Sequence, residues 1–233
     1  MSLRHRDTAL RELMDDPACD PERLAATLRR FGTVNRLVSG WDRLYRSHVR
    51  PALLARARHG SAARVLDIGC GGGDVASRLA ALARRDGLPA RWLGIDPDPR
   101  ALEVAVERER EDVRFRRADS TEVRESGESF DVVLSNHVLH HLDASALAQF
   151  ADDSLALSRG PVLHADIRRG RLAYALYAVG ITPIAPGTFL RTDGLRSVRR
   201  SYRPDELESA LGAAWRVEAP APFRVLAVGA GRA

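Results

Sequence analysis

The sequence predicts an α/β fold: a seven-stranded, mostly parallel sheet with an antiparallel last strand, helices on both faces and a helical cap in front. Three observations predict it. From Ala63 onward, short apolar runs alternate with amphipathic helical stretches, the mark of repeated β-α-β units. The central run, FDVVLSN, is almost wholly apolar, as a strand buried on both faces must be. The last two strand-like runs are joined through Pro220 and Pro222 by a connection too short for a helical crossover, which favours an antiparallel pair.

The elements follow in order. Residues 1–60 read as a helical cap and 61–233 as the main unit. Asp20-Pro21-Glu22 places an N-cap, a first-position proline and a first-turn acid ahead of the helix DPERLAATLRRF. VNRLVSGWDRLYRSHV is a second helical stretch weakened at Gly40, and Pro51 opens a third, PALLARARH. Strands RVLDI, RWLGID, VRFRRAD, FDVVLSN and PVLHADI then alternate with helices DVASRLAALARRD, PRALEVAVERER and ASALAQFADDSLAL. An insertion at about 170–201 holds the apolar helix RLAYALYAVGI and a proline-broken loop. Pro204 starts PDELESAL, and WRVEAP and FRVLAVGAG close the sheet.

Composition excludes whole chemistries. The 233 residues carry 36 basic and 31 acidic side chains, and every basic one is arginine. Without lysine there is no Schiff base, no pyridoxal-phosphate anchor and no Walker-type lysine. Arginine stays charged, so a general base must be His, Asp, Glu, Tyr or Cys. Two cysteines, Cys19 and Cys70, make no disulfide framework, and a reduced cytoplasmic protein is expected. No apolar run reaches membrane-span length, and MSLRHRDTALRELMDD has no signal-peptide core. The arginines are interspersed with acids, so no nucleic-acid partner is expected.

The strongest signal is VLDIGCGGGD at the first strand-to-helix turn. Glycines there allow a tight turn and close approach of a ligand to the main chain. The spacing is G-x-G-x-G followed by Asp74, where a dinucleotide fingerprint wants G-x-G-x-x-G. Asp67 and Asp74 would repel the pyrophosphate such a turn binds. They suit a cation instead, such as S-adenosylmethionine with its sulfonium and ammonium. Asp96 ends the second strand, where a carboxylate can accept both ribose hydroxyls. Asp119 follows the third and Asn136 ends the fourth, all at carboxyl ends of strands, where open α/β sheets bind ligands.

In that order, DIGCGGGD, GIDPD, RRADS and FDVVLSNHVLHHL resemble the motif series of class I S-adenosylmethionine-dependent methyltransferases, over roughly residues 60–168. The resemblance implies a Rossmann-like domain binding S-adenosyl-L-methionine. It implies a cofactor site drawn from Asp67, Gly69, Cys70, Gly71, Asp96, Pro97, Asp119, Ser120 and Asn136. RRFGTVNRLVSGWDRLYR resembles, more loosely, the segment ahead of the core in ubiquinone/menaquinone biosynthesis methyltransferases. That implies a cap closing over the ligands, with Arg36 and Trp41 or Tyr45 near the site.

Four of the seven histidines fall where an acceptor belongs: His137, His140 and His141 after the fourth strand, His164 in the fifth. Methyl transfer needs an acceptor held in line. A phenol of pKa about 10 also gains from a base working near neutrality, a task suited to histidine. His137 is the first choice, with His140, His164 and Asp166 as further catalytic candidates. No acid lies within SNHVLHHL, so no metal is expected. The insertion is apolar and aromatic first, then arginine-rich from Arg191 to Arg203. It suits an aromatic or apolar small-molecule acceptor, with Tyr174, Tyr177 and Arg191 as candidates, or one dissolved in a membrane and met by peripheral contact. O-methylation of a phenolic or quinol-like acceptor is expected. C-methylation is the near alternative, and a non-catalytic cofactor-binding or nucleic-acid-associated protein the distant one.

Overall fold

The computed structural model describes residues 3–233. Its sheet holds β1 (Ala63–Ile68), β2 (Ala90–Asp96), β3 (Val113–Arg117), β4 (Val132–Asn136), β5 (Pro161–Ile167), β6 (Trp215–Glu218) and β7 (Arg224–Ala230), in the order β3-β2-β1-β4-β5-β7-β6. β7 runs antiparallel to both β5 and β6, and the other strand pairs are parallel. The expected seven strands and the antiparallel last strand are therefore present.

Two apolar cores flank the sheet. One packs Val65, Leu134, Leu163 and Leu226 against Trp41, Tyr45 and Leu53 of the cap and Leu79 of α4 (Asp74–Arg85). The other packs Val133, Val162 and Val225 against Leu147, Phe150 and Leu155 of the helix Ala144–Leu157 and against Trp215. Burying each large aliphatic side chain contributes about 1.5–3 kcal/mol.

The first cap helix starts where the sequence places it but runs on through Gly32, where a separate stretch was expected. Helix α1 (Pro21–Val38) is capped by Asp20, which accepts from Glu22 and Arg23. Gly40, at φ +73°, breaks the chain, and α2 (Trp41–Leu44) then continues into α3 (Arg50–Arg58) through a wide turn at Tyr45–Val49. There Arg50 N–H reaches Tyr45 C=O, one residue farther back than an α-helical bond. Pro51 thus lies within a continued helix rather than opening a separate one.

Residues 3–20 form no helix. They make a strap across the insertion, whose helices are α8 (Arg171–Gly180) and α9 (Leu190–Arg200). Asp193 accepts from Leu13 and Met14 N–H, each at 2.9 Å. Arg196 donates to Arg11 C=O at 2.7 Å, Arg203 to Leu3 C=O at 3.0 Å, and Arg169 to the carbonyls of Leu3 and Arg4. The arginine-rich stretch expected at an acceptor mouth is mostly spent on this strap.

Other elements are α5 (Pro99–Ala105), α6 (Ser120–Glu125), α7 (Ala144–Leu157) and α10 (Pro204–Leu211). The short α6 was not expected. Asp119 and Glu122 form its capping box. Among the described residues no helix is long and apolar enough to cross a membrane.

Candidate active site

β1 is central in the sheet, between β2 and β4, and ends in the turn Gly69–Gly73. Gly69 and Gly73 have φ of +69° and +74°, a region side chains with a Cβ rarely adopt. A Cβ on Gly69 would lie 2.6 Å from Val138, and one on Gly73 2.4 Å from the Phe115 ring. The turn therefore requires glycine on two counts.

Three carboxylates gather around it. Asp67 is 1% exposed and accepts from the Ala76 N–H of α4, while its Oδ2 is buried with no partner. Asp74 accepts from Asn35 Nδ2 at 2.9 Å. Asp96 accepts from Gly71 N–H and Asp98 N–H, each at 2.9 Å. Burial, then the charge of Asp74, pushes the Asp67 carboxyl well above the usual range, and burial raises Asp74 and Asp96. Arg78 and Arg100 pair with Asp42 and Asp98 instead. Among the described residues no arginine pairs with Asp67 or Asp96. The turn is a negative cradle short of a cation.

α1 lies over this turn, with Leu28 against Gly71 and Gly72. Asn35, not Arg36, is the α1 residue that reaches the carboxylates. Arg36 is exposed. Asn35 belongs to the buried face with Leu24, Thr27, Leu28 and Val34, so the helical phase of α1 carried the signal. Trp41 and Tyr45 pack the cap to the sheet, and the Tyr45 hydroxyl donates to Asp86 at 3.2 Å. Cys70 is buried within the turn, and burial, then Asp67, pushes its thiol up. Pro97 is exposed, its carbonyl accepting from Arg117. Asp119 is exposed and caps α6, and Ser120 donates to the buried Asp153 of α7.

The histidines part company. His137 follows β4 at φ +63°, a strained backbone for a residue other than glycine. Its Nε2 accepts from the guanidinium of Arg224. Burial, then the Arg224 charge, drives its pKa well below the ordinary value, so the ring is neutral with that lone pair engaged. His140 is buried between two acids. Its Nδ1 is 2.8 Å from Asp166 Oδ1 and its Nε2 is 3.1 Å from Glu12 Oε1. Burial opposes its charge, but the Asp166 and Glu12 carboxylates prevail and raise it to about 9. His140 is therefore an imidazolium near neutrality and no base, and Asp166 serves it.

His164 is a core residue, which corrects its placement near an acceptor. It is fully buried between Phe150 and Trp215, with Nδ1 2.8 Å from Ser135 Oγ, and burial lowers it to about 3. Glu12, His140 and His141 offer donor atoms within 4.8 Å of one another. Both His140 nitrogens are already taken by carboxylates, and His141 Nδ1 is 3.3 Å from Asp15. Sequence reasoning missed Arg224 at the start of β7, which donates to Asn136 Oδ1 at 2.7 Å. A cavity of about 270 Å³ lies beside it, lined by Leu37, Val38, Ala165, Pro222 and Val225 among others.

The chain has relatives that match this architecture. A family described as "Methyltransferase domain" matches residues 65–158. A ubiquinone biosynthesis O-methyltransferase of Mesorhizobium japonicum is 31% identical over 180 residues, covering 72% of this chain and 68% of that protein. One of Brucella anthropi is 31% identical over 151 residues, and the match spans 64% of this chain and only 57% of that relative. The plantazolicin methyltransferase BpumL, solved with S-adenosylhomocysteine, superposes with a TM-score of 0.56 at 14% identity, covering 91% of this chain and 95% of its own. The methyltransferase domain of a bacterial Hen1 superposes at 0.52 and 17% identity, covering 78% of this chain and 96% of its own.

The fold and the glycine turn define an α/β methyltransferase. The chain belongs to the class I S-adenosylmethionine-dependent methyltransferases, whose cofactor is S-adenosylmethionine. The cradle fits that group: Asp67 keeps an orphaned buried oxygen, and the donor set is acidic, as a sulfonium and an ammonium require.

Proposed function

We propose that this chain O-methylates a small aromatic acceptor of phenolic or quinol-like character. One observation carries the reading: a carboxylate cradle at the end of β1 and β2 shares the sheet edge with a largely apolar cavity at the end of β5 and the start of β7. Asn136, at the tip of β4, lies between them and bonds to Arg224 on the acceptor side. S-adenosylmethionine supplies, when bound, an electrophilic methyl on a sulfonium. In this reading Asp67, Gly69, Gly71, Asp74 and Asp96 hold the cofactor, and Asn35 and Leu28 close over it. The names of the ubiquinone biosynthesis O-methyltransferase relatives support an oxygen acceptor.

Calorimetry with S-adenosylhomocysteine and with NAD tests the cofactor half. Micromolar binding of the first and none of the second is expected, and the reverse sinks the reading. Mass spectrometry and NMR of products from a panel of phenols and quinols test the rest; methyl on carbon would refute O-methylation. Leu172, Leu176 and Val179 stand 61%, 54% and 76% exposed on α8. The reading takes this stripe as a lipid contact for an apolar acceptor. Cosedimentation with phosphatidylglycerol vesicles checks it, and equal recovery from a Leu176→Ser variant counts against it.

A further inference from the structure

Arg224 opens β7 opposite Ile167 of β5 and is 4% exposed. Its guanidinium meets two neutral acceptors, Asn136 Oδ1 and His137 Nε2. A desolvated charge is costly without a counter-ion, so buried arginines are ordinarily met by carboxylates. Among the described residues none meets this one. Asp166 acts on it through space, but its oxygens are held against His140. Asp42 lines the same cavity and is gripped by Arg78 at 2.6 and 2.7 Å. Arg224 Nε is buried with no acceptor at all. Arg43 and Arg46 stand exposed on the cavity wall. The wall is cationic and otherwise largely apolar.

We infer that this cavity binds the methyl acceptor as an oxyanion, a carboxylate or phenolate carried on a single ring, with Arg224 as its counter-ion. The inference rests on the methyltransferase reading and names the acceptor class for it. The histidines leave a matching gap. His137 has its lone pair on Arg224, His140 is an imidazolium, His141 pairs with Asp15, and His164 lies in the core. An oxyanion needs no base. Its lone pair forms the new bond to the methyl carbon while the carbon–sulfur bond breaks with its electrons left on sulfur, and no proton moves. Methylation also removes the charge that Arg224 recognises, which favours release of the product. Asn136 and His137 are positioning residues that fix the guanidinium plane.

Calorimetry on the full chain saturated with S-adenosylhomocysteine tests this with benzoate and benzamide, matched in shape, the first anionic and the second neutral. Benzoate is expected to bind at least about tenfold tighter, as a charge-assisted pair requires. Arg224→Met is expected to erase that preference and Arg224→Lys to keep part of it. Phenol and 4-nitrophenol at pH 8.5 form a second arm, distinguishing phenolate from carboxylate recognition. Equal affinity of the wild-type chain for charged and neutral probes, or none for either, overturns the inference without any variant. A benzoate preference unchanged in a folded Arg224→Met overturns it too. If the wild-type chain ignores S-adenosylhomocysteine yet prefers benzoate through Arg224, the methyltransferase reading falls and the anion site stands.

Discussion

The two ends of the sheet's carboxyl edge carry opposite charge. Around β1 and β2, Asp67, Asp74 and Asp96 crowd together without arginine partners on Asp67 or Asp96. Around β5 and β7, Arg224 is buried without a carboxylate partner. Each group would stabilise the other by pairing, yet β4 and β5 stand between them. At about 4.8 Å per strand the separation from β1 to β7 is roughly 14 Å. A site that joins a cationic donor to an anionic acceptor needs this division, since buried charges interact strongly where water is excluded. On the proposed reading, the unsatisfied charge marks two ligand halves rather than poor packing.

The comparison breaks most forcefully at the group that belongs to neither half. Asp166→Asn leaves the His140 imidazolium with Glu12 as its one carboxylate partner, and losing half of this buried ion-pair set is expected to cost about 3 kcal/mol in denaturant unfolding, the low end for a broken buried pair. An unchanged midpoint would mean that His140 is neutral. Next, Asp96→Ala is expected to weaken S-adenosylhomocysteine by about 2 kcal/mol, near 30-fold, through loss of a carboxylate acceptor. Benzoate affinity measured on the same variant should barely move; a parallel loss would join the two halves into one.

A smaller effect follows from pH. His140 is raised above its ordinary value to about 9, so its stabilisation is whole below about 6.5 and is lost as pH rises through 9. Asp166 is lowered, by the charge of His140 against the cost of burial, so its share is present above about 4 and lost on acidification. Thermal melting from pH 7 to 10 should fall, and fall less in His140→Gln. The smallest effect is expected from His164→Leu, with turnover changed by no more than about twofold, under 0.5 kcal/mol. A larger loss would put the core face back into the chemistry.

The strands were legible because their apolar runs are local, and the glycine turn because its spacing is. Asp67, Asp96 and Asn136 follow from position at strand ends, and Asp74 from the glycine turn it closes. Arg224 was not legible. It is one of 36 arginines, and only the pairing of β7 with β5 brings it to the edge. The charge of His140 was hidden for a similar reason, since Glu12 arrives from 128 residues away. His164 and Asp166 alternate with Ala165 along β5, so they share a face; depth along the strand puts one in the core and the other at its end. No one-dimensional pattern encodes that depth.

The strap of residues 3–20 is held largely by arginines on peptide carbonyls and by Asp193 on peptide N–H groups. Such contacts read the path of a chain and not its side chains. Apart from Arg6, Asp7, Glu12, Asp15 and the apolar Leu13, Met14 and Cys19, the strap is free to diverge in sequence while docking unchanged. A homologue whose amino-terminal segment looks unrelated could thus wear the same belt, buckled at His140.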